Sequence, residues 1–476
     1  MTGADLITLL PMLILAATPV ALLLLLAWKR SERAAFSGGV IGLAASLAAL
    51  VTVPGPLSPN VTALFVFDGY ARFFFGLLAA GSLAVLFLAR GYWKKSALRR
   101  EEFYVLLLLA ALGSVVLAAS THFASFFLGL ELLSVSLYAM IAYPRLHGLS
   151  LEAGVKYLVP AASASAFLLF GMALVYAATG SMAFALPAAE GIESSLLLTG
   201  GLVLIVVGVG FKLAVVPFHL WTPDVYQGAP APVAAFIASV SKGAVLALVL
   251  RLFGGAGAQW SRPFGTVFTV ITGVAIASMV FGTLLALLQE NLKRLLAYSS
   301  IAHLGFLLVA LLAGGEAAFT AIAFYLVAYF VTIIGAFGVI TVLSQPGADT
   351  EALEDYRGLF WTRPWLAGTL AAMMLSLAGI PLTAGFIAKF TVVFSGVHSR
   401  IWVPVLVLVA TSAVGLYYYL RVLVTLYASG ESRAGAAAPV FGGGAVLAVL
   451  ALLLLFLGVL PGPLVNLIRA MLGAAW

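Results

Sequence analysis

Runs of about twenty apolar residues, each closed by a short polar or basic turn, recur from one end of this 476-residue chain to the other. That length matches the hydrocarbon thickness of a bilayer crossed by an α-helix. The runs are too long for strands and show no period-two alternation, which excludes a β-barrel reading. The fold class expected is therefore an all-α integral membrane protein. About fourteen spans are predicted, near 6–28, 34–53, 70–90, 103–120, 123–143, 153–177, 195–219, 232–252, 265–288, 295–313, 317–343, 366–394, 402–427 and 440–468. The first is read as a retained helix rather than a removed signal peptide. The 317–343 and 366–394 segments exceed a simple crossing and are expected to tilt, bend or break. Composition agrees, with 63% hydrophobic and only 9% charged residues, against roughly 25% charged in soluble domains. The absence of cysteine excludes thiolate iron–sulfur ligation, cysteine zinc sites and disulfides in this chain. Five scattered histidines give no metal or haem cluster.

The net charge of +7 has a topological meaning and does not point to nucleic acid. Lys29, Arg30 and Arg33 follow the first span, Arg90, Lys94, Lys95, Arg99 and Arg100 the third, and Lys293 and Arg294 the ninth. With both termini periplasmic, about 15 of the Lys and Arg residues fall on the cytoplasmic side and about 5 on the other.

A charge at the bilayer centre costs about 2.5–3.5 kcal/mol or more, yet four are kept: Glu131, Lys212, Lys242 and Lys389. Lys156 is a fifth, close enough to its span's end to snorkel to the interface. Polar stripes accompany them at helical spacing: Glu131, Ser134 and Tyr138; Ser239 and Lys242; Tyr325, Tyr329 and Thr332; Ser299, Ser300 and His303. Such stripes face a bundle interior or water. One buried Lys–Glu pair alone could be a packing device. Four charges on four spans favour a transport path. Gly208, Gly210 and Pro217 bracket Lys212, and Gly379, Pro381 and Gly385 precede Lys389. Interrupted helices at matching points of two halves suggest an inverted-repeat transporter. The division expected is 1–100 with three helices, 101–253 and 264–428 as two five-helix repeats with Lys212 matching Lys389, and 440–470 as a last helix.

Three motifs are more specific: Gly210-Phe-Lys-Leu-Ala-Val-Val-Pro-Phe-His-Leu-Trp-Thr-Pro-Asp-Val-Tyr-Gln-Gly-Ala-Pro-Ala-Pro232, Lys293-Arg-Leu-Leu-Ala-Tyr-Ser-Ser-Ile-Ala-His-Leu-Gly305 and Gly379-Ile-Pro-Leu-Thr-Ala-Gly-Phe-Ile-Ala-Lys389. Together they resemble the antiporter-like, proton-translocating membrane subunits of respiratory complex I and of multisubunit sodium/proton antiporters, over about residues 100–430. The family's M-type members are expected to carry Glu where this chain has Lys389, and its L-type members to continue into a long lateral helix. The resemblance is thus to the N type. It implies proton-translocating roles for Glu131, Lys212, Lys242 and Lys389, with Lys156, His303, Tyr325, Tyr329, Ser134 and Ser239 as candidate relays. It implies an enzyme subunit with no cofactor or metal of its own. NADH, FMN, iron–sulfur clusters and quinone would belong to partners, among them an M-type subunit and small K-, J-, A- and H-type subunits. A bacterial inner-membrane location follows.

The chemistry suits that role. Desolvation disfavours an ammonium and a nearby carboxylate favours it, so moving the carboxylate changes the lysine's proton affinity. Unit charges about 10 Å apart interact by roughly 1.7 kcal/mol at an effective dielectric of 20. Neighbouring sites can therefore load and unload one another, with Glu131 and Lys212 as a switching pair, Lys242 as relay and Lys389 as terminal site. An antiporter subunit would use the same lysines, and a structural spacer would need none of them.

Overall fold

The computed structural model describes residues 3–53, 62–94, 100–185, 195–254, 264–345, 348–430 and 441–472. Lys95 and Arg99 of the basic loop and the stretch 186–194 before the seventh span lie outside them. Twenty α-helices follow one another: α1 (Gly3–Thr8), α2 (Leu10–Trp28), α3 (Glu32–Thr52), α4 (Gly69–Trp93), α5 (Glu101–Ala119), α6 (Phe123–Ile141), α7 (Gly148–Thr179), α8 (Leu196–Leu213), α9 (Trp221–Gly228), α10 (Ala231–Phe236), α11 (Lys242–Gly254), α12 (Phe264–Leu287), α13 (Leu292–Ala313), α14 (Gly315–Leu343), α15 (Leu359–Thr362), α16 (Pro364–Ala378), α17 (Ala384–His398), α18 (Trp402–Tyr427), α19 (Phe441–Val459) and α20 (Gly462–Leu472). Among the described residues the only β pairing is four isolated bridges. Among the described residues, thirteen helical stretches are long and apolar enough to cross a bilayer, and α16 and α17 are shorter apolar helices on either side of one break.

The helix starts follow ordinary capping chemistry. Ser31, Asp68, Ser195 and Asn291 each accept a backbone N–H from the first turn, which satisfies donors the helix itself cannot use. His122 does the same for α6 through Nδ1. Close helix crossings depend on missing side chains. A Cβ at Gly113 of α5 would lie 2.6 Å from the Leu133 nitrogen of α6, and one at Gly282 of α12 would lie 2.7 Å from the Ala302 nitrogen of α13.

Those two crossings belong to a repeated frame. The second recurs 169 positions after the first, from Gly113 to Gly282 and from Leu133 to Ala302. The same offset relates two pairs of backbone hydrogen bonds. Phe123 N–H donates to Met182 and Phe184 N–H to Thr121, as Leu292 donates to Glu351 and Leu353 to Glu290. The start of α6 is thus tied to the chain after α7 in the way that the start of α13 is tied to the chain after α14.

Several spans differ from the sequence expectation. The long α14, expected to tilt, bend or break, does not break: it carries no proline, and most of its residues are buried. The last span ends at Val459, and Pro461 separates it from the short α20, since proline cannot continue the preceding hydrogen-bond ladder. The eighth span contains a π-helical turn, Ile237–Ser241, between α10 and α11, where the sequence predicted a plain helix. Such turns often mark functional sites. Lys242 is the first residue beyond it.

Candidate functional site

Two chain breaks frame the site. α8 ends at Leu213 with the left-handed residue Ala214 (φ 60°), and the chain resumes as α9 at Trp221. Ser278 of α12 pins this break by accepting the Val216 N–H at 2.9 Å. The second break follows α16, ends on left-handed Gly379 (φ 85°), and resumes as α17. Ser376 bridges it, accepting the Gly385 N–H at 3.1 Å and meeting Thr332 of α14 at 3.1 Å.

The expected equivalence of Lys212 and Lys389 fails in this register. Lys212 precedes its left-handed cap, in the last turn of α8, whereas Lys389 follows its cap and lies in α17. The lysines come from opposite sides of their breaks.

Lys212 is 5% exposed and donates to Ser134 Oγ at 2.7 Å. Its ammonium lies 5.5 Å from the Tyr157 ring centre and 5.9 Å from that of Tyr138, an arrangement that stabilises a desolvated cation. The expected ion pair with Glu131 does not form. The ammonium is taken by Ser134, one turn further along α6, and half-buried Glu131 instead accepts from Ser165 of α7 at 2.7 Å.

Lys242 is 2% exposed and donates to Ser300 Oγ of α13 at 2.7 Å. Its ammonium stands 5.4 Å from the Tyr226 ring centre. The Tyr226 and Tyr329 hydroxyls both approach Ser300, though neither makes a well-formed hydrogen bond. Ser300 is therefore a polar junction of three helical segments. Ser239 does not join it, because its hydroxyl donates back to the Ala235 carbonyl of its own helix at 2.6 Å.

His303, one turn along α13 from Ser299, makes two hydrogen bonds, with Tyr325 at 2.6 Å through Nδ1 and with Tyr419 at 3.1 Å through Nε2. Tyr419 also meets Ser299 at 2.5 Å. Tyr325, Tyr329, Thr332, Ser376 and His303 enclose a cavity of about 10 Å³, close to the space a single water centre needs. Beyond it, half-buried Lys389 donates to Ser412 Oγ at 2.9 Å and to the Ala378 carbonyl at 3.0 Å. The Phe306 ring stands between, 5.4 Å from both the Lys389 ammonium and the His303 ring centre.

Lys156 lies apart from this row. It is an exposed residue paired with Glu152 and Asp224, both at 2.7 Å. Asp224 also receives Arg294 at 2.7 Å. Lys293, with 1% of its side chain exposed, joins the same end of the bundle. It donates to Asp349 at 2.7 Å and to the Gln227 and Ala229 carbonyls at 2.7 and 2.8 Å. Sequence reasoning missed Ser165, Tyr226, Ser412 and Tyr419. A signal existed for the last two: they stand seven residues apart on α18, on one helical face.

Residues 120–415, which hold Glu131 and the three buried lysines of this row, match the family described as "NADH:quinone oxidoreductase/Mrp antiporter, TM". The chain belongs to that family. Among its relatives is the NADH-quinone oxidoreductase subunit N of Ectopseudomonas mendocina (strain ymp), 49% identical over 98% of this chain and 97% of that one. A chain of respiratory complex I from Thermus thermophilus with bound aureothin is 36% identical with a TM-score of 0.83, covering 96% of this chain and 98% of its own. A chain of the Mrp complex from Dietzia sp. DQ12-45-1b, at 21% identity and TM-score 0.84 over 99% and 97%, shares the fold. No group of three or more His, Cys, Asp or Glu side chains able to hold a metal ion occurs among the described residues.

Proposed function

We infer that this chain is a proton-translocating membrane subunit of an NADH–quinone oxidoreductase. The observation that carries the reading is the row of Lys212, Lys242 and Lys389, each held by one serine hydroxyl and placed along a polar interior path. A serine hydroxyl both donates and accepts. It can therefore bond the ammonium and the neutral amine alike, which a fixed carboxylate partner would not do evenly.

In this proposal Glu131 and Lys212 act as a coupled pair at one end, working through space and through Ser134. Lys242 and Ser300 form the central station. Tyr329, His303, Tyr325 and Tyr419 carry the proton on, and Lys389 is the terminal site. Ser239 and Lys156 are left outside the path. The two five-helix halves are read as inverted repeats. The 169-residue frame supports this, as does the odd number of crossings per half, which reverses the second. Nicotinamide, flavin, iron–sulfur and quinone chemistry would reside on partner subunits, with an M-type neighbour and small K-, J-, A- and H-type subunits. The setting proposed is a bacterial inner membrane with both termini periplasmic, from the asymmetry of basic loops.

The test uses the whole complex in proteoliposomes, with NADH oxidation and proton uptake measured at matched complex content. Lys242→Ala is expected to lower proton translocation about tenfold, equivalent to about 1.4 kcal/mol on the limiting step. Unchanged translocation in Lys212→Ala, Lys242→Ala and Lys389→Ala would establish a structural spacer. Translocation that requires sodium would establish an antiporter.

A further inference from the structure

Away from the lysine row, α3, α4, α14 and α19 enclose a lateral cavity of about 1350 Å³, larger than the roughly 300–1,000 Å³ usual for small-ligand pockets. Its two ends differ. The body is apolar, walled by residues such as Leu77, Phe87, Val327, Phe330 and Val449. The mouth carries Arg33, Arg90, Lys94 and Arg100 against a single acid, Glu32.

Away from the lysine row, three interhelical cations are paired with acids: Arg251 with Asp68, Arg294 with Asp224, and Lys293 with Asp349. At this mouth Glu32 is taken by Arg100 at 3.0 Å. Among the described residues Arg33, Arg90 and Lys94 have no ion pair. Arg90 is held over the Phe36 ring at 4.2 Å, which fixes its guanidinium beside the opening. From Arg90 back to Leu77, α4 rises about 20 Å, slightly more than one leaflet of a hydrocarbon core about 30 Å thick. The cavity therefore runs from headgroup level to about mid-membrane depth.

We propose that this cavity binds an anionic diacyl phospholipid, its phosphate held by Arg33, Arg90 and Lys94 and its acyl chains laid along α4, α14 and α19. Basic pockets between membrane helices suit such headgroups. The apolar body gives a reason for lipid over free phosphate, and the unpaired cations a reason for an anionic over a neutral lipid. The inner wall links the site to the lysine row. Phe330 packs onto Gly243, where an added Cβ would meet its ring at 2.5 Å, and Gly243 directly follows Lys242. The opposite face of α14 carries Tyr325 and Tyr329 of the row.

The test uses the assembled complex in nanodiscs containing phosphatidylglycerol with a diazirine on one acyl chain. Photolabelled peptides are expected from α4 and α14, competed by unlabelled phosphatidylglycerol and not by phosphatidylcholine or inorganic phosphate. Each of Arg33→Gln, Arg90→Gln and Lys94→Gln is expected to lower labelling about fivefold, or about 1 kcal/mol per charge. Ala84→Trp, which fills the body and leaves the cations in place, is expected to abolish it. Equal competition by phosphatidylcholine would overturn the proposal, as would labelling unchanged by the charge variants or by Ala84→Trp. A photoreactive side chain at Leu83 that crosslinks to a partner protein instead of lipid would do so too. Competition and crosslinking are read on the unaltered chain or a single surface position, so a variant that fails to assemble does not blunt the test.

Discussion

The two halves share a backbone frame but bury it differently. In the first, about two-fifths of the membrane stretch of α7 is buried and just over half of that of α6. Their counterparts in the second, α14 and α13, are both 94% buried. The polar positions follow this contrast. At the 169-residue offset Glu131 falls on Ser300 and Ser134 on His303. The first half thus keeps a carboxylate where a face is open and only half-buried, and the second has neutral hydroxyl and imidazole groups where the surroundings are closed. An ionised carboxylate needs solvation that a sealed interior cannot provide. The contrast is confined to these helices, since α5 and the eighth span of the first half are more buried than α12 and α18 of the second. On the proposed path the open α6–α7 pair would receive a signal from a neighbour and the closed α13–α14 pair would relay protons.

The largest expected effect tests how firmly the halves are joined. Lys293 bonds backbone carbonyls of the first half and Asp349 of the second, whereas Ala124 stands at the equivalent position of the first frame. Lys293→Ala should cost about 3–5 kcal/mol, the usual penalty for stranding a buried charge. A lowered melting temperature and loss of assembled complex would register it, and wild-type stability would show the halves to be joined elsewhere.

The breaks provide the next contrast. Ala214 holds a left-handed conformation that disfavours a side chain by about 1–2 kcal/mol, while its counterpart is glycine. Gly379→Ala should lose that amount, and its Cβ would meet Lys389 Cδ at 2.9 Å. Proton translocation should fall with it. Ala214→Gly should gain up to about 1 kcal/mol in stability. Two substitutions of the same sign would dissolve the contrast.

A smaller effect concerns the open end. Glu131→Gln and Lys212→Ala should each reduce translocation, with the double variant less impaired than their sum by about 0.5–1 kcal/mol. The coupling is put at the lower end because the two make no direct bond, each being held by a different serine. Strict additivity in pumping assays at matched complex content would show the two to act separately. The smallest effect is Lys156→Gln, which should leave translocation within error, since the residue pairs at the exposed end of the bundle. A marked loss would extend the path to it.

The span pattern, both breaks and the four charged positions were legible in sequence because each carries a large local cost that leaves a mark. A charge in an apolar run and a glycine beside a proline are such marks. What each charge bonds was not legible. Ser165, Ser300, Ser412 and Tyr419 reach their partners across helices, and ordinary serines and tyrosines on an apolar helix look alike until the packing selects one. The π turn before Lys242 left no trace, as Ile237–Ser241 has ordinary helix-compatible composition. The matching of Lys212 with Lys389 misread the register because proline and glycine counts locate a break without saying on which side of it a lysine falls.

That misreading conceals a deeper likeness. Lys212 belongs to the final turn of α8, and Lys389 reaches back to the Ala378 carbonyl at the end of α16. Both lysines are thus tied to the C-terminal end of a half-helix, Lys212 by its place in the last turn and Lys389 by its bond to a terminal carbonyl, where aligned peptide dipoles amount to about half a negative elementary charge. This counter-charge is made of backbone, so it cannot be titrated away. On the proposed path, proton loss from either lysine would not require a carboxylate to be protonated in exchange. The backbone holds a constant bias, and the variable part of the field is left to groups such as Glu131 that can change their charge.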